Sequence, residues 1–146
     1  MDFVQIGGSL AAIVILALIA RWLYPNKAEL TEDRVIRNVA RYCPDTELDA
    51  RADKTYLSQD NKNAIFVFGQ ARFGIATATA LGDRVVVRHY ADTSEVDFRL
   101  ENGKLSLVTD DFTQPSFTVA LGEDDVSNLL SAVNDTTAKD ANHAHA

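Results

Sequence analysis

Few side chains of this 146-residue chain could do covalent chemistry. A cysteine nucleophile needs a base within hydrogen-bond reach, but the single cysteine, Cys43, has no histidine near it in sequence. His89 follows Val85 and Val87 in a strand-like pattern, which favours a structural role over general-base catalysis. The chain has no phosphate-binding loop, dinucleotide-binding glycine pattern or HExxH motif. We predict a non-enzymatic protein without cofactor or metal; a hydrolase or transferase that uses His89 and a carboxylate remains an alternative.

Basic side chains are the candidate ligand-binding groups. Four of them could form an anion-binding pocket in the strand-rich part of the chain: Arg72, Arg84, Arg88 and Arg99. The alternative is that they pair with neighbouring carboxylates such as Asp83 or Asp97. From Pro44 onward the chain has nine basic and seventeen acidic residues. This acidity repels nucleic acid, so no nucleic-acid partner is expected.

An apolar run precedes this acidic part. It extends from Phe3 to Leu23 and carries no charge as far as Ala20, which predicts a transmembrane helix at residues 1–24. A cleaved signal peptide is the alternative, but the run lacks a basic amino-terminal flank and is longer than the apolar part of such peptides. Arg21, Trp22 and Tyr24 form an aromatic and basic boundary typical of a membrane interface.

Basic residues predict the orientation of this anchor. Arg21 and Lys27 follow the run and no Lys or Arg precedes it, so the positive-inside rule places the carboxyl side in the cytoplasm. The chain is then a single-pass protein of a bacterial inner membrane. A lone cysteine fits a reducing compartment. Four small residues would let a second helix approach, either from a membrane-protein partner or from another copy: Gly7, Gly8, Ala11 and Ala12.

A juxtamembrane segment, residues 25–44, connects the anchor to the rest. Thr31 is a candidate N-cap for an amphipathic helix over Glu32–Cys43, and Pro44 ends it. Three basic residues lie on the polar side of this helix: Arg34, Arg37 and Arg41. They either contact the anionic surface of the lipid bilayer or form a solvated face.

Residues 45–135 predict seven short strands and a final helix. Apolar and polar residues alternate, turn residues separate the segments, and Asn102-Gly103 is a strong hairpin signal. The predicted strands are Lys54–Ser58, Ala64–Phe68, Ala71–Ala80, Arg84–Tyr90, Glu95–Leu100, Lys104–Thr109 and Ser116–Leu121. A stripe of Val126, Leu129, Leu130 and Val133 predicts an amphipathic helix that ends near Asn134. The tail, residues 136–146, is small and polar, which predicts disorder.

This order of elements resembles the pleckstrin-homology-like superfold, as found in bacterial domains beside membrane spans. The resemblance covers roughly residues 50–135 and implies an α+β class, with a bent antiparallel seven-stranded sheet or barrel capped by the carboxyl-terminal helix. A two-layer α+β sheet and a β-barrel of another topology are alternatives. The superfold implies binding of phosphoinositides, peptides or partner domains.

Together these features predict an interaction protein. We expect a single-pass membrane protein whose cytoplasmic domain makes it an accessory or assembly subunit of a larger membrane complex. A membrane-tethered domain that binds a lipid or a small anion is the alternative.

Overall fold

The computed structural model describes residues 3–23, 29–92 and 95–143, with side chains placed at residues 7–23, 29–70, 72–92 and 95–135. These residues form three α-helices: α1 (Phe3–Leu23), α2 (Glu32–Tyr42) and α3 (Glu123–His143). Seven strands lie between α2 and α3: β1 (Lys54–Leu57), β2 (Asn63–Val67), β3 (Ile75–Leu81), β4 (Arg84–Tyr90), β5 (Val96–Glu101), β6 (Lys104–Thr109) and β7 (Ser116–Val119).

Helix α1 corrects the prediction of a membrane anchor. Across the part of the chain that the structure describes, no helix combines the length and the apolar character needed to cross a bilayer. The predicted single-pass transmembrane segment and inner-membrane location are therefore wrong.

Helix α2 begins where its sequence predicts. The Thr31 side chain accepts a hydrogen bond from the Arg34 amide, and Glu32 and Asp33 occupy the first turn, where negative charge is favourable. The helix ends at Tyr42, with Cys43 as its C-cap. Its apolar side is buried through Val35 and Val39.

The seven strands divide into two antiparallel sheets, which corrects the predicted fold class. Strands β1 to β4 form one sheet in chain order, and β5 to β7 form a second one. The described strands close no barrel, so the single bent seven-stranded sheet or barrel was a wrong prediction. The last pair of the first sheet joins Ile75 to Tyr90, and the second sheet begins with Val96 paired to Thr109. A short connection thus carries the chain from one sheet to the other.

Two apolar clusters lie on opposite faces of the four-stranded sheet. On one face, Ile65, Val67 and Ile75 are buried with the inward side of the second sheet and with Leu129 of α3. On the other face, Phe66 and Phe68 are buried beneath α2. Successive residues of β2 therefore serve different clusters, as the two-residue period of a strand requires.

Two predicted elements differ in extent. The predicted strand from Ala71 begins instead with a turn of 3-10 helix at Ala71–Phe73, and β3 starts only after Gly74. Helix α3 was expected to end near Asn134 but continues to His143. Residues 136–143 of the predicted disordered tail therefore belong to α3, and residues 144–146 lie outside the described residues.

We expect Gly74→Ala to destabilise the domain strongly. Gly74 has φ +64°, a left-handed conformation that costs an L-residue about 1–2 kcal/mol, and an added Cβ would lie 2.0 Å from the Tyr90 carbonyl oxygen. Gly82 has the same φ, but nothing lies within 4 Å of its added Cβ. Urea unfolding should therefore show a larger loss of free energy for Gly74→Ala than for the control Gly82→Ala; equal losses would contradict the close packing of β3 against β4.

Candidate functional site

Cys43, the one candidate nucleophile, is a buried part of the α2 cluster. Its amide donates to the Val39 carbonyl at 2.8 Å, and its own carbonyl accepts from the Thr46 hydroxyl at 2.7 Å. Burial raises the pKa of the thiol above its ordinary value. Because the thiolate is the reactive form, this position opposes nucleophilic chemistry.

His89 is held by its neighbours. Its Nε2 lies 2.5 Å from the Phe73 carbonyl oxygen, which requires the ring to donate from Nε2. The ring also packs edge-on against Phe68, with centroids 5.3 Å apart. These contacts agree with the structural role that the sequence favours.

Ionisation of Cys43 should make stability pH-dependent in the alkaline range. The folded pKa is raised, so the thiol's contribution is constant below about pH 8.5, where an exposed cysteine titrates. At higher pH the unfolded chain loses this proton first, and the free energy of unfolding falls. Urea unfolding between pH 7.5 and 9.5 should show this decline for the native chain and a smaller one for Cys43→Ser. Identical slopes would mean that the thiol is not buried.

The structure does not bring the four arginines of the predicted anion pocket together. Arg72 lies in the 3-10 turn and pairs with Glu47 at 3.5 Å, and Arg99 pairs with Asp97 at 2.9 Å along β5. Arg84 is exposed at the start of β4, at the opposite end of that strand from Tyr90.

Arg88, the fourth of them, lies in β4 and binds the loop between β6 and β7. One Nη1 atom donates to Asp111 Oδ2 at 2.6 Å and to the Thr113 hydroxyl at 2.7 Å, and both partners of the ion pair are about two-thirds buried. Strand β4 thereby holds the connection between β6 and β7. This guanidinium is therefore already paired with a carboxylate of the same chain.

The residues predicted at a membrane surface occupy three different settings. Arg21 and Trp22 are exposed at the end of α1, and Tyr24 lies outside the described residues. Arg34 binds the domain itself, since its guanidinium donates to the Glu29 carbonyl at 3.0 Å and to the Asp83 carbonyl at 2.8 Å. The other two, Arg37 and Arg41, are exposed on α2.

The predicted helix-packing residues are all exposed on α1. They are Gly7, Gly8, Ala11 and Ala12. An added Cβ at Gly7 or Gly8 meets no atom within 4 Å, so neither glycine is required by a contact within the described chain. Association of this helix with another copy or with a partner protein stays a prediction.

The loop between β6 and β7 is fixed by its own hydrogen bonds. The Thr109 hydroxyl donates to the Gln114 carbonyl at 2.8 Å, and the Thr109 amide donates to the Pro115 carbonyl at 3.1 Å. Within the loop, Asp111 Oδ1 accepts from the Thr113 amide at 2.8 Å and from the Thr113 hydroxyl at 2.6 Å. These last two bonds, with a smaller contribution from Arg88, hold the pKa of Asp111 below its ordinary value.

Phe112 stands on this fixed loop with 97% of its surface exposed. An isolated exposed apolar residue is ordinary on a protein surface, but one on a hydrogen-bonded loop is already ordered before any partner arrives. Aromatic residues, phenylalanine among them, are enriched at protein–protein contacts. We name residues 109–115 the docking loop.

A cavity of about 390 Å³ lies beside the docking loop. It is open to solvent at the point where β4 ends and β5 begins. Its walls are formed by His89, Tyr90, Glu95, Thr109, Asp110 and Asp111. Three of these six side chains are carboxylates, so the cavity has acidic walls. No three His, Cys, Asp or Glu side chains of the described residues form a metal-binding group.

Comparison of this chain with protein-family models, curated proteins and solved structures finds no match. The resemblance to the pleckstrin-homology-like superfold thus stays a prediction from element order.

Neither part of this site was predicted from the sequence. Residues 110–115 lie between two predicted strands and are rich in turn formers, and the phenylalanine among them was a visible signal. The cavity had no such signal, because it depends on how the end of β4 lies against the docking loop.

We expect Arg88→Met to loosen the docking loop. The methionine keeps much of the apolar length but donates no hydrogen bond to Asp111 or Thr113. Amide hydrogen exchange at Thr113 and Gln114 should become faster. Arg99→Met, which removes an exposed ion pair on β5, is the matched control and should leave these amides unchanged. Unchanged exchange in both variants would show that the loop does not depend on Arg88.

Proposed function

We propose that this chain is a non-catalytic interaction protein, an accessory or assembly component that binds a partner protein through the docking loop. The observation that carries this proposal is the combination of a nearly fully exposed Phe112 with a loop fixed by side-chain hydrogen bonds. An ordered anchor loses little conformational entropy on binding. The occupant is a protein surface with an apolar pocket for the phenyl ring.

The negative charge near Phe112 indicates what charge the partner's surface carries. The cavity next to Phe112 has three carboxylates in its walls, and the chain from Pro44 onward is strongly acidic. A complementary partner therefore carries basic groups around its apolar pocket, which raises the rate of encounter and excludes acidic competitors.

The same charges weigh against the alternative function, binding of a lipid headgroup or small anion. An anion in this cavity would face Glu95 and Asp110, and Arg88 is already bound to Asp111. The remaining candidate arginines lie apart on the 3-10 turn, the start of β4 and β5. We therefore propose protein binding alone.

Replacement of Phe112 by Ala tests the proposal. Tagged full-length chain, captured from a lysate of its source cells, should retain a stoichiometric partner that Phe112→Ala loses at least tenfold, as measured by quantitative mass spectrometry. Because Phe112 is exposed, the variant should unfold within about 0.5 kcal/mol of the native chain.

The matched control is Leu81→Ala. Leu81 is also a large exposed apolar residue, 60% accessible, but it lies at the end of β3, by the turn into β4. Its replacement should leave the captured partner unchanged. Equal retention by Phe112→Ala and the native chain would overturn the docking role of the loop, as would equal losses from both variants.

A further inference from the structure

Strand β5 lies at the edge of the second sheet, and β6 is its only partner among the described strands. The turn between them contains Asn102 and Gly103, whose φ values of 52° and 73° are those of a two-residue hairpin turn. The residues that flank such a turn, here Glu101 and Lys104, form a pair that exchanges both backbone hydrogen bonds. The amide and the carbonyl of Glu101 therefore point towards β6.

This direction determines which backbone groups of β5 point away from the sheet. Hydrogen-bonding directions alternate along a strand, so Val96, Phe98 and Leu100 direct their amides and carbonyls outward. Among the described residues, these groups have no hydrogen-bond partner. An unpaired edge of this kind is a template for another strand.

The side chains of β5 are complementary to a second copy of the same strand. Asp97 and Arg99 are exposed on one face and lie on either side of Phe98 in the sequence. If two copies pair antiparallel about a two-fold axis at Phe98, Asp97 of each copy lies opposite Arg99 of the other. On the other face, Leu100, which is 61% exposed, lies opposite Val96. Opposite charges and apolar side chains at directly opposite positions stabilise a strand pair.

The same register satisfies the free backbone groups. Phe98 exchanges two hydrogen bonds with its counterpart in the other copy, and Val96 exchanges two with Leu100 on each side of the axis. An axis at Asp97 or at Arg99 would place that charged residue opposite itself. An axis at Leu100 would pair only residues 99–101 of the two strands, so Phe98 gives the longest pairing without like charges inside it.

The other edge strands lack this complementarity. Strand β4 contains Arg84 and Arg88 but no acidic residue, and Arg88 already binds the docking loop. Strand β1 has one charged residue, Lys54. Strand β7 has none, and just beyond its end the Ala120 carbonyl accepts from the Gln59 amide, which follows β1.

We infer that this chain forms a symmetric dimer in which the β5 strands of two copies pair antiparallel and join their second sheets into one. The inference does not depend on the docking loop and goes beyond the proposed function. The Asp97–Arg99 ion pair within each strand is exposed, so exchanging it for the pair between copies costs little. One pair of strands buries less surface than a standard interface, so the dimer is weak and depends on concentration.

Exchange of charges at β5 tests this dimer. Sedimentation equilibrium of the full-length chain, over a concentration series, should show a monomer–dimer equilibrium. Asp97→Lys and Arg99→Glu should each weaken it at least tenfold, because two opposite-charge pairs become like-charge pairs. An equimolar mixture of these two variants should recover dimers, since the introduced charges then lie opposite each other. Both positions are exposed, so each variant should unfold like the native chain.

The matched control is the other exposed ion pair, Arg72 with Glu47. Arg72→Glu and Glu47→Lys should leave the monomer–dimer equilibrium unchanged, alone and when mixed. Glu101→Gln tests the register, because Glu101 lies opposite Glu95 when the axis is at Phe98 but opposite Arg99 when it is at Leu100. This variant should not weaken the dimer.

Amide hydrogen exchange distinguishes this dimer from association through α1. As the concentration rises, the amides of Val96, Phe98 and Leu100 should exchange more slowly. The amides of Asp97 and Arg99 already donate to β6, so their exchange should change little.

Any of four results would overturn the inference: a monomer at every concentration, association that is insensitive to both charge variants, no recovery in their mixture, or a weaker dimer in Glu101→Gln. Dimerisation without Phe112-dependent capture would retain the β5 interface and remove the proposed role of the docking loop. Phe112-dependent capture by a chain that stays monomeric would leave the proposed function standing and remove this dimer.

Discussion

Burial of the β1–β4 sheet on both faces is the constraint on which the rest of this structure depends. Within β2, Ile65 and Val67 enter the cluster shared with the second sheet and α3, whereas Phe66, and Phe68 just after the strand, enter the cluster beneath α2. Removing α2 from one face, or the second sheet and α3 from the other, would expose a row of apolar side chains to water. On the α2 side, β3 presents only alanines, Ala76, Ala78 and Ala80, and these small side chains let α2 lie close to the sheet.

Local signals predicted the local elements, and the errors concern long-range pairing. The N-cap at Thr31 and the Asn102-Gly103 turn are confirmed because each depends on a few adjacent residues. The partition into two sheets was not visible, since alternation shows that a strand has a buried face but not which strand lies next to it. The 3-10 turn before Gly74 was also missed: Gly74 has φ +64° and lies against the Tyr90 carbonyl of another strand, a contact that the sequence does not show.

The candidate site was less predictable than the fold. The arginines were chosen for their charge, but charge in a sequence does not reveal which carboxylate is the neighbour, and Arg88 proved to hold Asp111. Conversely, Glu95 and Asp110 line one cavity although they are distant in the sequence. The exposed Phe112 was the one part of the site that its composition could have revealed, as an aromatic residue amid turn formers.

Hydrogen bonds attach the segment before α2 and the start of α2 to the turns of the first sheet, and this attachment has a mechanical consequence. Leu30 is buried and its amide donates to the Asn61 carbonyl, while Arg34 bonds to the carbonyls of Glu29 and Asp83. A pulling force applied from the amino-terminal side therefore reaches the β1–β2 and β3–β4 turns first. The docking loop belongs to the other sheet and is linked to β4 through Arg88, so the load reaches Phe112 only after it has passed along β4.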